Sequence, residues 1–478
     1  MIPMTLAEVA VAVHGRLDAT SGEELVSGTV EYDSRAITSG GLFVALAGER
    51  VDGHDYAAQA GAAGAAGVLA ARPVGLPAVL VPDVLAALGE LAGHLARRLR
   101  ATTVIGLTGS SGKTTTKDLL AAVLSAEAPG GSNVVAPPGS FNNELGHPWT
   151  VLRADQHTRY LVLELAARGL GHIAAQCAVA PPRIGLVLNV GSAHLGEFGS
   201  PDAVAAAKSE LVETLPSAAD GGVAVLNADD PRVAAMAART AARVVTFGRG
   251  EGAQVRAEDV VLDRRGRAGF RLVTPLGAAP VRLTVVGEHQ VHNALAVAAV
   301  ALELGLGADR LAAALGDARA ASRWRMEVTE RPDGVTVIND AYNANPESMR
   351  AALNALSAIS GRSRRRWAVL GPMAELGGIS DAAHAEVGAL AGALGVQCLL
   401  GVGTSSYSAG YEEGSAVGRE GNSMVVPDVT AALDLLRTWL RPDDVVLVKA
   451  SRSAGLERVA TGLLGEPGPG DGVGECCR

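Results

Sequence analysis

The stretch Thr103-Val-Ile-Gly-Leu-Thr-Gly-Ser-Ser-Gly-Lys-Thr114 decides how the chain is read. Residues 103–107 form a short, mostly apolar run that opens with three β-branched side chains, consistent with a buried strand. The glycines and serines that follow make a turn, and a helix is predicted to begin near Lys113. A glycine-rich turn between strand and helix is where a phosphate loop sits: glycines allow close approach, amides point inward, and the helix N-terminus supplies positive potential. Thr108, Gly109, Ser110, Ser111, Gly112, Lys113, Thr114 and Thr115 are therefore the expected nucleotide cradle. Lys113 would hold the β- and γ-phosphates and Thr114 would ligate Mg²⁺. The stricter GxxxxGK[ST] spacing needs glycine at 107, where this chain has leucine, so the loop is a shorter TGxxGKT variant.

Outward from this loop, apolar runs at 160–164, 184–189, 223–227 and 244–247 alternate with helical stretches. Such alternation predicts an α/β fold with a mostly parallel, doubly wound sheet. Residues 255–286 switch to short strands with charged turns, and a helix returns at 289–304. The first hundred residues form a smaller α/β unit ending in a helix over 84–100. A third, Rossmann-like α/β unit starts near Ser322, with strands at 335–339, 367–370, 398–402 and 445–449. The expected domains are 1–100, 101–320 and 321–464, with a Gly/Pro-rich tail over 465–478 expected to be disordered. At 478 residues, three domains of roughly 150 residues each is the natural count.

Composition narrows the function classes. The first twenty residues lack a basic segment followed by an apolar core, and no run approaches the roughly 18 apolar residues of a membrane span, so a cytoplasmic protein with no membrane insertion is expected. A net charge of −9 argues against nucleic acid as a partner. The arginine cluster at 362–366 reads as a solvated turn. Cys177, Cys398, Cys476 and Cys477 lack metal-type spacing, so neither a zinc site nor a disulfide is expected. Only four of the 41 basic side chains are lysines: Lys113, Lys117, Lys208 and Lys449. A chain that writes arginine for ordinary surface charge should keep lysine where a compact, deprotonatable ammonium is needed. Lys117 alone reads as a leftover codon.

Glu164 ends one predicted strand and His194 follows another, and in a doubly wound sheet both strand ends face the crevice of the phosphate loop. Together they would ligate a second Mg²⁺; taken singly, the glutamate also reads as a helix cap or ion-pair partner and the histidine as a satisfied polar residue. Lys208 lies on a helix opened by Ser200-Pro201-Asp202, with Ser200 as cap and Pro201 in the first turn. Beside the surface-lysine reading stands a role needing a neutral amine, such as carbamylation by CO₂ to make a metal-ligating carbamate.

Taken in order, these segments and several others resemble the Mur ligase superfamily over about residues 5–460. Asp33-Ser-Arg35, Gly41-Leu-Phe-Val-Ala-Leu46 and Asp52-Gly-His-Asp-Tyr56 look like its UDP-binding N-terminal domain, and Gly139-Ser-Phe-Asn-Asn-Glu-Leu-Gly-His-Pro148 like its Asn-Asn segment. The resemblance implies UDP-substrate contacts for Asp33, Ser34, Arg35, Asn142, Asn143, Asn343 and Asn345. It assigns adenine to Asn293 of Gly287-Glu-His-Gln-Val-His-Asn-Ala294, ribose to Asp340 of Asn339-Asp-Ala-Tyr-Asn-Ala-Asn-Pro346, and nucleotide to Arg325 of Arg323-Trp-Arg-Met-Glu327. Lys449-Ala-Ser-Arg-Ser453 is similar to a late Lys-Gly-Ser-Arg motif. It further implies catalysis by Lys113, Lys208, His194 and Glu164, and a metal set of Thr114, Glu164, His194 and carbamylated Lys208.

The implied reaction is ATP-dependent amide ligation, ADP- and phosphate-producing, through an acyl phosphate. It joins D-Ala-D-Ala to a UDP-muramoyl tripeptide for peptidoglycan, with two Mg²⁺, by a protein expected to be a monomer. Three departures bear on this: Ala166 and Ala450 stand where the family has glycine, and Pro372 of Gly371-Pro-Met-Ala-Glu-Leu-Gly377 where it has an acid. The open alternatives are a relative that ligates another amine, such as D-Ala-D-lactate or a specialised-metabolite substrate, and a nucleotide-binding scaffold without ligation.

Overall fold

The computed structural model describes residues 1–48, 51–127, 133–192, 195–361, 363–415 and 421–465. At its centre is a nine-stranded sheet. Strand Thr103–Thr108 lies between Tyr160–Glu164 on one side and Ile184–Val187 on the other, all parallel. Val134–Val135 flanks the first neighbour; Val223–Asn227, Arg243–Gly248 and Val255–Leu262 continue from the second. From Thr103–Thr108 the chain first builds one side, then returns to build the other. That reversal opens a crevice at the carboxyl ends of the central strands, where the phosphate loop emerges.

The continuous apolar runs follow from burial on both faces. One face packs on Leu119, Leu120 and Val123 of helix Lys113–Ala126 and on the nearly all-apolar helix Gln290–Glu303. The other packs on Ala207, Leu211 and Val212 of helix Pro201–Glu213. The expected switch of pattern at 255–286 is an antiparallel extension of the same sheet, Val255–Leu262, Arg267–Thr274 and Gly277–Val286, rather than a set of short strands.

The N-terminal region carries a five-stranded sheet in the order Arg16–Asp18, Ala78–Leu80, Gly67–Ala70, Leu42–Val44, Val30–Glu31, parallel except at the first pair. Its helix Val84–Arg98 and the near face of the central sheet contribute to one apolar cluster. The third sheet runs Glu327–Glu330, Thr336–Asn339, Val445–Lys449, Arg366–Leu370, Cys398–Val402, Asn422–Val426, with only the first strand antiparallel.

Several expectations change. The strand expected over 184–189 stops at Val187, because Asn189 turns to bind the phosphate loop. Edge strands Glu327–Glu330 and Asn422–Val426 carry no continuous apolar run and gave no sequence signal. The arginine cluster is not a solvated turn. Arg364 donates to the Gly334 and Asp443 carbonyls, both at 2.8 Å, and Arg365 pairs with buried Asp444 at 2.6 Å. Arg366 donates to Ser360 Oγ at 2.7 Å. These guanidiniums clamp the bottom of the third sheet; Arg362 lies outside the described residues, as do 466–478 with Cys476 and Cys477. Cys177 and Cys398 are buried free thiols. No helix among the described residues is long and apolar enough to cross a membrane.

Candidate active site

The phosphate loop is braced from both sides. Asn189 Oδ1 accepts from the Ser110 amide at 3.0 Å and the Ser111 amide at 2.9 Å, while its Nδ2 donates to the Ser111 carbonyl at 3.1 Å. Gly112, at φ 81°, is the N-cap of helix Lys113–Ala126. A Cβ there would lie 2.5 Å from Asn293 Oδ1, so both the left-handed backbone and the close approach require glycine. Asn293 is buried and its amide donates to Gln290 Oε1 at 2.7 Å. Lys113 curls back to donate to the Gly109 carbonyl at 2.6 Å, and burial lowers its pKa. Thr108 and Thr115 are buried at the loop's two ends.

Thr114, in the first turn of that helix, meets Glu164 at the end of the neighbouring strand. Thr114 Oγ1 lies 2.6 Å from Ser140 Oγ and 3.3 Å from Glu164 Oε1, which also accepts from Asn142 Nδ2 at 2.7 Å. Glu164 Oε2 is buried with no hydrogen-bond partner. An orphaned carboxylate oxygen beside a threonine hydroxyl is a hard-oxygen donor set of the kind Mg²⁺ takes, so these residues fit that ion. Among the described residues no cluster of three His, Cys, Asp or Glu side chains forms; His194, the other expected metal donor, lies outside them.

Lys208 is 4% exposed on helix Pro201–Glu213, which Ser200 caps by accepting from the Ala203 amide, with Pro201 at its start as expected. Burial, reinforced by the nearby Lys113 ammonium, brings its pKa down to about 7. It is the only one of the four lysines without a hydrogen-bond partner among the described residues. Lys449 donates to Asp340 Oδ2 at 2.6 Å and the Asn343 carbonyl at 2.7 Å. Lys117, far from being incidental, is 1% exposed and ion-paired with Asp118.

The third unit is docked onto this loop. Arg325 donates to Thr114 Oγ1 and Ser140 Oγ, both at 3.0 Å, with its guanidinium 4.1 Å from the Tyr342 ring centroid. Its neighbours Trp324 (φ 59°) and Met326 (φ 53°) hold left-handed backbones that bulky residues adopt only when the surroundings enforce them. Asp340 accepts from the Met326 amide at 3.1 Å and from Lys449, so its carboxylate is engaged within the third unit. Asn345 caps helix Pro346–Ser360 and donates to the Ser110 carbonyl at 3.4 Å, and Glu347 accepts from the Ser192 amide and hydroxyl at 2.9 and 3.0 Å. Asn343 Oδ1 accepts from the Ala344 amide.

The loop carrying Pro372 is fixed without an amide at that residue. Tyr407 donates to the Gly371 carbonyl at 2.7 Å, the Met373 amide to His384 Nε2 at 3.0 Å, and the Ser451 amide to the Pro372 carbonyl at 3.0 Å. Ala450 is accommodated because it faces Gly371; a Cβ on that glycine would lie 2.8 Å from the Ala450 Cβ. Ala166 contributes its carbonyl to Gln176 Nε2 at 3.1 Å.

Asp33, Ser34 and Arg35 follow strand Val30–Glu31 of the N-terminal sheet. Arg35 forms a fork with Asp33 at 2.9 and 2.7 Å, and Ser34 donates to Gln59 Oε1 at 2.9 Å. They are joined to the central crevice through Trp149, which donates to the Val30 carbonyl at 2.9 Å and stacks near Tyr32 and Phe141. Asn143 caps the Gly146 amide at 2.8 Å. The structure thus gathers the loop, Asn142, Glu164, Asn293, Arg325 and Asn345 around one crevice, with Asp33 to Arg35 at its far end. Sequence reasoning missed Asn189, Ser140 and Glu347, although Asn189 directly follows an apolar run that ends in the crevice.

A phosphate loop, a metal-ready carboxylate and an arginine delivered to the loop by the third unit define a nucleotide-dependent transferase or ligase. The comparisons refine that class. Family models match residues 28–94 (Mur ligase family, catalytic domain), 107–301 (Mur ligase middle domain) and 324–452 (Mur ligase, glutamate ligase domain). The UDP-N-acetylmuramoyl-tripeptide--D-alanyl-D-alanine ligase of Mycobacterium tuberculosis is 52% identical over 98% of each chain. The crystal structure of MurF from Acinetobacter baumannii superposes with a TM-score of 0.83 at 32% identity, covering 97% of this chain and 99% of that one. MurF ligase from Thermotoga maritima, in complex with ADP, gives 0.77 at 29% identity, covering 92% and 98%. The chain belongs to the Mur ligase family and is an ATP-dependent, amide-forming ligase.

Proposed function

We propose that this chain joins D-Ala-D-Ala to UDP-N-acetylmuramoyl-tripeptide in the cytoplasm, acting as a monomer, with 1–100 binding the UDP end, 101–320 the nucleotide and 321–464 the acceptor. The observation that carries the reading is Arg325 reaching from the third unit to Thr114 and Ser140 at the phosphate loop; the 52% identity to the mycobacterial enzyme along nearly its whole length supports the substrates.

The donor's terminal carboxylate attacks the γ-phosphorus of ATP and ADP leaves; the dipeptide amine then attacks the acyl carbon, inorganic phosphate leaves, and the amine proton is lost. A carboxylate is a weak nucleophile, so rate comes from in-line placement and charge neutralisation. Loop amides, Lys113 and Arg325 would hold the phosphates; Asn293 and Asp340 would face adenine and ribose. One Mg²⁺ would be held by Thr114 beside Glu164, and a second by Glu164 with His194 and Lys208 as carbamate; both would neutralise phosphoryl charge. The depressed pKa of Lys208 supports the carbamate: a neutral amine adds CO₂ and sheds a proton, giving an anionic ligand. Docking of the third unit excludes water from the acyl phosphate. Asp33 to Arg35, Asn142, Asn143, Asn343 and Asn345 would line the donor and acceptor path.

The test is ATP-dependent phosphate release with UDP-muramoyl tripeptide and D-Ala-D-Ala, D-Ala-D-lactate or no acceptor, with products weighed by mass spectrometry. Turnover with D-Ala-D-Ala as preferred acceptor supports the assignment. Preference for another amine makes the Pro372 loop the seat of a changed specificity, and absence of turnover with any acceptor overturns ligation.

A further inference from the structure

We propose that Lys117 and Asp118 are a positioning pair that sets where Arg325 arrives over the phosphate loop. Both sit one turn beyond Lys113 and Thr114 on the same helix, with side chains 1% and 3% exposed. Asp118 Oδ2 accepts two consecutive amides of the segment leading into the third unit, Ala321 at 3.1 Å and Ser322 at 2.8 Å. Lys117, paired with Asp118, donates to the Pro137 carbonyl at 2.7 Å and contacts Ser322 Oγ at 3.4 Å.

Each of these anchored residues lies three positions before a partner in the contact at the loop. Ser322 precedes Arg325, and Pro137 precedes Ser140, which accepts from Arg325. Three residues span at most about 10 Å, so tying Ser322 and Pro137 to helix Lys113–Ala126, whose first turn carries Thr114, holds all three corners of the Arg325–Ser140–Thr114 contact to one frame. The intervening backbone needs such a frame. Trp324 and Met326 are both left-handed, and the strained stretch is held at one end by Asp118 and at the other by Asp340 through the Met326 amide. A buried ion pair contributes little net stability against an apolar replacement; its use here is geometric.

This inference rests on the proposed role of Arg325 in phosphoryl transfer. The test compares Asp118→Leu, the charge-neutral double variant Lys117→Met/Asp118→Leu, Arg325→Ala, and Arg325→Ala combined with the neutral pair. Leucine keeps the shape of aspartate but cannot accept the Ala321 and Ser322 amides, and the double variant avoids stranding a buried lysine charge, so it reports on geometry even if Asp118→Leu alone folds poorly. The expected result is a kcat lowered on the order of tenfold to a hundredfold, the range for a misplacement near 1 Å. ADP affinity should stay within about twofold, because the loop itself is intact. On the Arg325→Ala background the neutral pair should cost nothing further, since its effect passes through that arginine. Unchanged kcat in the folded double variant overturns the proposal, as do losses that multiply with Arg325→Ala. Near-native kcat in Arg325→Ala itself overturns the arginine's role and this inference with it.

Discussion

Replacing Lys208 by methionine should stabilise the protein while abolishing its activity. The amine is 4% exposed, and burial brings its pKa from 10.5 to about 7. Because the folded value lies below the unfolded one, the unfolded chain binds more protons between pH 7 and 10.5, and stability rises with pH across that window. The penalty is complete below pH 7 and gone above 10.5. At about 1.4 kcal/mol per pKa unit, the burden on the native state at pH 7 is about 4 kcal/mol, reduced to about half where the surroundings relax around the charge. Methionine has a similar length and no charge to bury, so Lys208→Met should gain about 2 to 4 kcal/mol at pH 7 and a Tm several degrees higher. The assay is unfolding of both proteins from pH 6 to 9 in CO₂-depleted buffer, where the free amine governs, followed by ligation assays in bicarbonate. The difference should shrink as pH rises from 7 to 9. A difference that is absent at pH 7, or flat across the range, refutes the buried-amine reading; ordinary turnover by Lys208→Met refutes its part in catalysis.

Lys113→Ala should lower ATP-dependent phosphate release at least a hundredfold, measured at saturating substrates, because no other side chain on the loop carries positive charge. Glu164→Gln should raise the Mg²⁺ concentration for half-maximal activity by about tenfold or more, since the orphaned oxygen becomes part of a neutral amide; an unchanged Mg²⁺ titration counts against its metal role. Gly112→Ala should weaken ADP binding, read by calorimetry, and destabilise the fold by about 1 to 2 kcal/mol, from the left-handed backbone and the 2.5 Å approach to Asn293 Oδ1.

Much of the crevice was legible because strand and phosphate loop are local signals. Residues 103–114 specify strand, turn and helix by themselves, and Glu164 declared itself as an acid closing an apolar run. What sequence could not reveal were partners distant along the chain. Asn189 reaches the loop amides across about 80 positions, and Asp118 meets Ser322 across 204. Lys117 read as incidental since its Arg-biased context says that lysine is special without saying what it touches. The arginines at 364–366 misled for a related reason: charge in sequence suggests solvent, yet their acceptors are carbonyls and a carboxylate brought up by the third sheet. Edge strands escaped since one side of each faces water and their composition shows it.

The apolar cluster shared by the N-terminal sheet and the central sheet has a consequence for synthesis. It draws on residues from Met4 to Ala242, so on the ribosome it stays incomplete until about half of the chain has been made. At roughly 5 to 20 residues per second, the first apolar surfaces wait about 12 to 50 s for their partners. During that interval helix Val84–Arg98 presents Leu88, Leu91 and Leu95 without the central-sheet part of their final cover, and chaperone engagement should concentrate on nascent chains shorter than that length.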